Sequence, residues 1–143
     1  MLIDAHTHAF APAQLAARDD LCARDATFAQ MYGDPKARMV DCSSIAATME
    51  RAGFDAAVVA GFAFSAQRDI DEQNAHLLEG SAEHPGVVIP VATVNPALPG
   101  WERAAAKAIE DGARGLGELR PHNQGWDPSG PEGSPAGGLC AGA

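Results

Sequence analysis

The chain has 143 residues, 46% hydrophobic and 20% charged, a size and balance suited to one globular core. Its net charge of −9 argues against nucleic acid or an anionic membrane surface as the main partner and is explained by solubility. Three cysteines, Cys22, Cys42 and Cys140, are odd in number and lack zinc-site spacing, so they indicate neither a disulfide framework nor a thiolate-bound metal.

No stretch approaches the ~18 apolar residues of a membrane span. Asp4 comes early and no basic segment precedes an apolar run, so no secretory leader is expected and a reducing cytoplasm is the expected compartment.

The chain opens on Leu2-Ile3-Asp4-Ala5-His6-Thr7-His8-Ala9-Phe10, an extended run that ends in His-x-His. Side chains alternate faces along a strand, so His6 and His8 project side by side and can ligate one metal ion as neutral imidazoles. The other reading is a strand end with one histidine in the core and one in solvent. A long polar interval follows, from Ala9 to Asp41, with Pro12, Gly33, Pro35 and the charged run Arg18-Asp19-Asp20. A helix fits Pro12 to Arg24. Connections this long serve as lids or binding loops, or are plain surface insertions.

Ser43 or Ser44 then caps a helix through Ala52, with Ile45, Met49 and Ala52 at helical spacing and Gly53 just past its end. The apolar run Asp55–Phe62 reads as a strand buried on both faces. A loop over Phe62–Arg68 leads to Asp69, which with Glu72 three residues on reads as a capping box. That second helix carries Ile70, Leu77, Leu78 and Ser81 inward and ends before Pro85-Gly86. Val87–Val94 is a third strand, closed by Asn95-Pro96. Pro90 removes a ladder donor there, which calls for a bulge or a pairing gap. A third helix runs from near Pro99 to Asp111, with Trp101, Ala105, Ala108 and Ile109 on one face and Gly112 as its stop. Arg114-Gly115-Leu116-Gly117-Glu118-Leu119 reads as a fourth strand.

Strand and helix alternate, which implies an α/β fold with a parallel sheet and right-handed crossovers. Two architectures remain: an open doubly wound sheet, or the first four β/α units of a (β/α)8 TIM barrel, which as a whole takes ~250 residues. In both, functional groups collect at the carboxyl ends of strands. His6 and His8 end the first strand, Asn95 the third, and Glu118, Arg120 and His122 lie at or just after the fourth. No Gly-x-Gly-x-x-Gly turn, Walker pattern or Gly-x-Ser-x-Gly elbow occurs, which disfavours dinucleotide, P-loop and α/β-hydrolase chemistry. Glu118 is a candidate oxygen ligand or general acid/base; a salt bridge to Arg120 or Arg114 is the alternative. Arg120 can clamp a substrate carboxylate in bidentate fashion, or be solvated. His122 is a candidate substrate contact or a solvated loop histidine, and Trp126 lines a pocket or covers the rim.

The opening Ile3-Asp4-Ala5-His6-Thr7-His8 resembles the first-strand signature of the amidohydrolase superfamily. Gly115-Leu116-Gly117-Glu118-Leu119-Arg120-Pro121, followed by Gln124-Gly125-Trp126-Asp127, is similar to the fourth-strand region of amidohydrolase-related, metal-dependent hydrolases of TIM-barrel fold. The segment Met31-Tyr32-Gly33-Asp34-Pro35-Lys36-Ala37-Arg38 looks like the same group. The resemblance covers residues 1–130 as the N-terminal half of a barrel domain. It implies a divalent metal, zinc above all, held by His6 and His8, with Glu118 at a position that ligates or bridges metal in some relatives. It implies a hydrolase acting on a small carbonyl-containing substrate; some relatives decarboxylate aromatic acids instead. A non-catalytic half-barrel that binds or assembles with a partner is the third reading.

The family also draws further histidines and an aspartate from later strands, and these are not in the sequence to residue 143. The site is therefore expected to be incomplete and this chain inactive alone. Residues 131–143, rich in Gly, Pro and Ala, are expected to be disordered or the product of a frameshift. Open first and fourth strands would then favour a homo-oligomer or pairing with a missing C-terminal half.

Overall fold

Parallel pairing organises the sheet, in the order β1-β2-β3, formed by β1 (Ile3–His8), β2 (Ala56–Ala60) and β3 (Val88–Val91). The computed structural model describes residues 1–130, so the expectation for the 131–143 tail lies outside the described residues. Between the strands lie α1 (Pro12–Ala16), α2 (Arg18–Arg24), α3 (Ala26–Tyr32), α4 (Cys42–Ala52) and α5 (Gln67–Glu83); α6 (Trp101–Glu110) and α7 (Pro121–Gln124) follow β3. No helix among the described residues is long and apolar enough to cross a membrane.

β2 and β3 are short and apolar, and α4 and α5 each bury one stripe against them. Cys42, Ile45 and Met49 of α4 and Leu77 of α5 pack on Ala57, Val59 and Val88. The two helices approach closely because residue 80 is glycine: a Cβ there would stand 2.4 Å from the Cβ of Cys42. Trp101 and Ala105 of α6 pack with Val94 and, more peripherally, Leu116 and Leu119.

Several local expectations are corrected. The cap of α4 is Asp41, whose carboxylate accepts from the Ser44 N–H at 2.8 Å, not Ser43 or Ser44. Asp69 does not cap α5. The helix begins at Gln67 after Ala66, and the buried Asp69 carboxylate instead receives two bonds from Arg24, one of them 2.9 Å long. The fourth strand is reduced to a bridge between Ala92 and Leu116. Its hydrogen bonds run from Arg114 N to Pro90 O, Ala92 N to Gly115 O and Gly117 N to Ala92 O. Gly115 and Gly117 supply no side chains to hold a pleat, and pairing stops there. Of the four β/α units predicted, the described residues therefore show three strands and this bridged segment. Pro90 fits without a bulge, since its register with Val59 is regular. Its carbonyl faces Arg114, so its missing donor falls where pairing with that segment is only starting.

The interval after β1 is not a bare loop. It folds into α1, α2 and α3, where the sequence predicts one helix. Leu21 and Phe28 from these helices join Phe10, Phe62, Phe64 and Ile70 in a second, aromatic core. Polar ties fix it from outside: Gln14 Nε2 donates to Asp69 O at 2.9 Å, and Asp25 accepts from Phe28 N and Ser65 N. Phe10 follows β1 and Phe62 and Phe64 follow β2, so this core flanks the carboxyl end of the sheet.

Candidate metal centre

β1 is irregular where it delivers its histidines. Its register with β2 shifts between Asp4 and Thr7, so one extra residue is accommodated beside His6. The His6 N–H leaves the ladder and donates to Asp4 Oδ1 at 3.2 Å. Such a bulge re-aims a side chain. The two rings meet edge to face, with centroids 4.9 Å apart and Nε2 atoms 3.0 Å apart.

Glu118 completes the group. Its Oε2 lies 3.5 Å from His6 Nε2 and 3.1 Å from His8 Nε2. The Gly117–Glu118 peptide is cis. Among the described residues these three are the one set of histidine, cysteine and acidic side chains that could hold a metal ion. Ligand atoms about 2.1 Å from a metal, at tetrahedral or octahedral angles, are about 3.0–3.4 Å apart, so the observed separations and the N₂O donor set fit a divalent ion. His6 is the open side of the group, 67% exposed against 19% for His8 and 29% for Glu118.

His8 is also oriented from behind. Its Nδ1 lies 3.2 Å from Gly61 O. A carbonyl only accepts, so Nδ1 is the donor here and Nε2 is the ring nitrogen turned to the group.

The other candidate residues divide. Arg120 adjoins the group, with Nε 3.8 Å from Glu118 Oε1 and Nη1 against the Met31 sulfur. His122 sits exposed on α7, outside the cluster. Asn95 is buried and holds the turn after β3, accepting from Ala97 N. Trp126 donates to Gln124, which in turn donates to Val94 O, so it braces this rim. Tyr32, on α3, was not singled out as a site residue by the sequence; burial raises its phenol pKa, and the nearby Glu118 charge adds to this. Gln73, Asn74 and Thr93, which bond the turns and backbone beside these ligands, also escaped the sequence pattern. One signal was present: Gln73 interrupts the stripe Ile70, Leu77 and Gly80 with a polar residue.

Ala5, Val58, Ala60, Val91 and Gly117 line a shallow depression of about 150 Å³ beside His6 and Glu118. The parallel α/β sheet with its loops and candidate ligands at the carboxyl end is similar, at the level of fold, to enzymes of TIM-barrel architecture. One similar structure is 5-carboxyvanillate decarboxylase from Novosphingobium aromaticivorans with bound manganese, at TM-score 0.76 and 20% identity over 99% of this chain and 48% of that chain. Another structure of that enzyme, with manganese and 4-hydroxy-3-methoxy-5-nitrobenzoic acid, gives TM-score 0.75 and 20% identity over 97% of this chain and 47% of that chain. This chain thus spans about half the length of these neighbours. No protein-family model and no curated protein matches it. The neighbours hold manganese where the sequence resemblance implies zinc, and they are decarboxylases where it implies a hydrolase.

Proposed function

We propose that this chain carries the divalent-metal site of a metal-dependent enzyme that removes the carboxylate of a small carboxylic acid. The observation that carries the reading is the convergence of His6, His8 and Glu118 on one point at the carboxyl end of the sheet. His6 and His8 would hold the ion through Nε2, and Glu118 through Oε2. A mixed imidazole and carboxylate set accepts either manganese or zinc, and availability as well as affinity decides between them. When bound, the ion supplies Lewis acidity at a substrate oxygen.

The chain's own groups do the rest. Arg120 presents a planar guanidinium beside Glu118 and takes the substrate carboxylate. Heterolysis of the carbon–carboxylate bond leaves an electron pair on carbon, which must then take a proton. Glu118 is the carboxyl group placed to hold that proton if it is not bound to the ion. His122 has no part in this reading, because it lies exposed outside the group.

Amidohydrolase-type cleavage of a carbonyl substrate uses the same ligands and is the second reading. The decarboxylases with this fold favour the first.

Calorimetric titration of the purified chain with Mn²⁺ and Zn²⁺ tests the site without needing turnover. One equivalent bound, and lost in His6→Ala and His8→Ala, is the expected result. No stoichiometric binding, or equal binding by His8→Ala, rules the site out. In a full-length relative, carbon dioxide release from hydroxybenzoic acids, set against cleavage of lactones and amides, separates the two reactions.

A further inference from the structure

We propose that two adjacent amides on α5, Gln73 and Asn74, are positioning residues that set His8 and Glu118, each through one intervening turn. The proposal rests on the metal-site reading above.

Gln73 is fully buried. Its Nε2 donates to Phe62 O at 3.0 Å and its Oε1 accepts from Phe62 N at 2.7 Å. This two-bond clamp grips the chain two residues past the end of β2. Gly61 is pressed against it, since a Cβ at residue 61 would stand 1.8 Å from Gln73 Nε2. The Gly61 carbonyl, held in this way, accepts from His8 Nδ1 and fixes its tautomer.

Asn74 repeats the device two residues past the end of β3. Its Nδ2 donates to Thr93 O at 2.8 Å and its Oδ1 accepts from Thr93 N at 2.9 Å. Thr93, fully buried, donates from Oγ1 to Gly117 O at 3.0 Å. Gly117 directly precedes Glu118.

Consecutive helical residues do not face the same way, so neighbouring side chains on one helix can reach two strand exits. Gln73 is a buried amide, costly unless bonded, at a place where an apolar residue would complete the α5 stripe more simply, and the half-buried Asn74 beside it bonds both backbone groups of Thr93. Spending two amides on these two turns accounts for the arrangement if their effect is on the ligands. Partners that orient metal ligands from behind typically hold 10–100-fold in affinity.

Gln73→Glu and Asn74→Asp keep the acceptor and remove the donor with little change of shape. Leu77→Ala, on the same helix, is the control for stability alone. Three quantities are read: the His8 tautomer by ¹⁵N NMR of the metal-free chain, Mn²⁺ affinity, and Tm. Gln73→Glu is expected to shift the His8 tautomer and to weaken Mn²⁺ binding by about tenfold. Asn74→Asp is expected to weaken binding similarly while leaving the His8 tautomer unchanged. Leu77→Ala is expected to lower Tm with neither effect. An unshifted His8 tautomer in Gln73→Glu, or affinities that simply track Tm across all three variants, overturns the proposal. If the wild type binds no Mn²⁺, the metal-site reading fails, and the His8 tautomer in Gln73→Glu alone decides: shifted upholds the positioning role, unshifted overturns it.

Discussion

The two ends of the sheet differ in a way that shows what makes a site. The amino end has the larger opening, about 540 Å³, lined by Ser43, Glu50, Phe54, Asp55, His84 and Val87. It even brings a serine to a histidine, with Ser43 Oγ 3.2 Å from His84 Nε2. Yet that pair is joined by no third metal-binding side chain among the described residues. The carboxyl end opens into a much smaller depression, but three ligand atoms converge there. Its turns are clamped by the side-chain amides of the buried Gln73 and the half-buried Asn74, and four of the five phenylalanines, Phe10, Phe28, Phe62 and Phe64, flank it. Convergence and orientation, not volume, single out the carboxyl end as the candidate.

The contrast can be broken or sharpened by substitution. The largest effect is expected from Phe28→Ala. This buried ring stacks on Tyr32 and Phe64 and meets Phe10 and Phe62 edge on, so its loss should cost about 3–5 kcal/mol and lower Tm sharply. A melt close to wild type would show that the aromatic wall is not part of the cooperative fold.

Next is His8→Ala, which should weaken Mn²⁺ binding by more than about 100-fold, beyond the loss of any outer partner. His84→Ala at the other end should leave the same titration unmoved, and a matching loss there would erase the distinction between the ends.

Asp41→Ala removes the α4 cap at a cost of about 1 kcal/mol in chemical denaturation. Side-chain and backbone hydrogen bonds from Ser44 hold the Asp41 pKa below its ordinary 3.8. The charged cap therefore stabilises fully above the unfolded carboxyl's pKa and loses its effect as pH falls through the lower folded value. Denaturation curves of wild type and variant should converge in acid below pH 3.8; a gap that persists there would contradict the charged-cap account.

The smallest effect is chemical. Burial, followed by the charges of Asp41 and Glu83, pushes the Cys42 thiol up to about 12, whereas Cys22 is only half-buried. Brief alkylation at pH 8 should label the Cys22 peptide and spare that of Cys42 by mass spectrometry. Equal labelling would mean that the α4–α5 packing opens readily.

Periodicity made β2, α4 and α6 legible, because their apolar spacing and glycine stops are local signals. The pairing of His6 with His8 follows from strand alternation only in part, since a bulge intervenes between Asp4 and Thr7. Other features depend on partners distant in sequence. Asp69 looks like a cap until Arg24 claims it, and residues 114–119 look like a strand until Thr93 takes the Gly117 carbonyl. The helices of residues 12–32 are only five to seven residues long, too short for a periodic stripe to show. Gln73 and Asn74 are ordinary helical amides on paper, and their importance emerges only when the strand exits come to meet them.

The placement of Glu118 has a kinetic consequence. It meets His8 across nearly the whole described chain, so the group closes the longest loop in this part of the molecule. Local helices and the β1–β2 pairing can form before that closure, whose entropic cost must be met first. Bringing the three side chains together is therefore the most non-local of these contacts to make. A ligand that needs all three would bind only chains in which that closure is made, drawing the equilibrium toward them by mass action. Occupancy of the cluster would thus report that the first strand and the residue-118 segment have met.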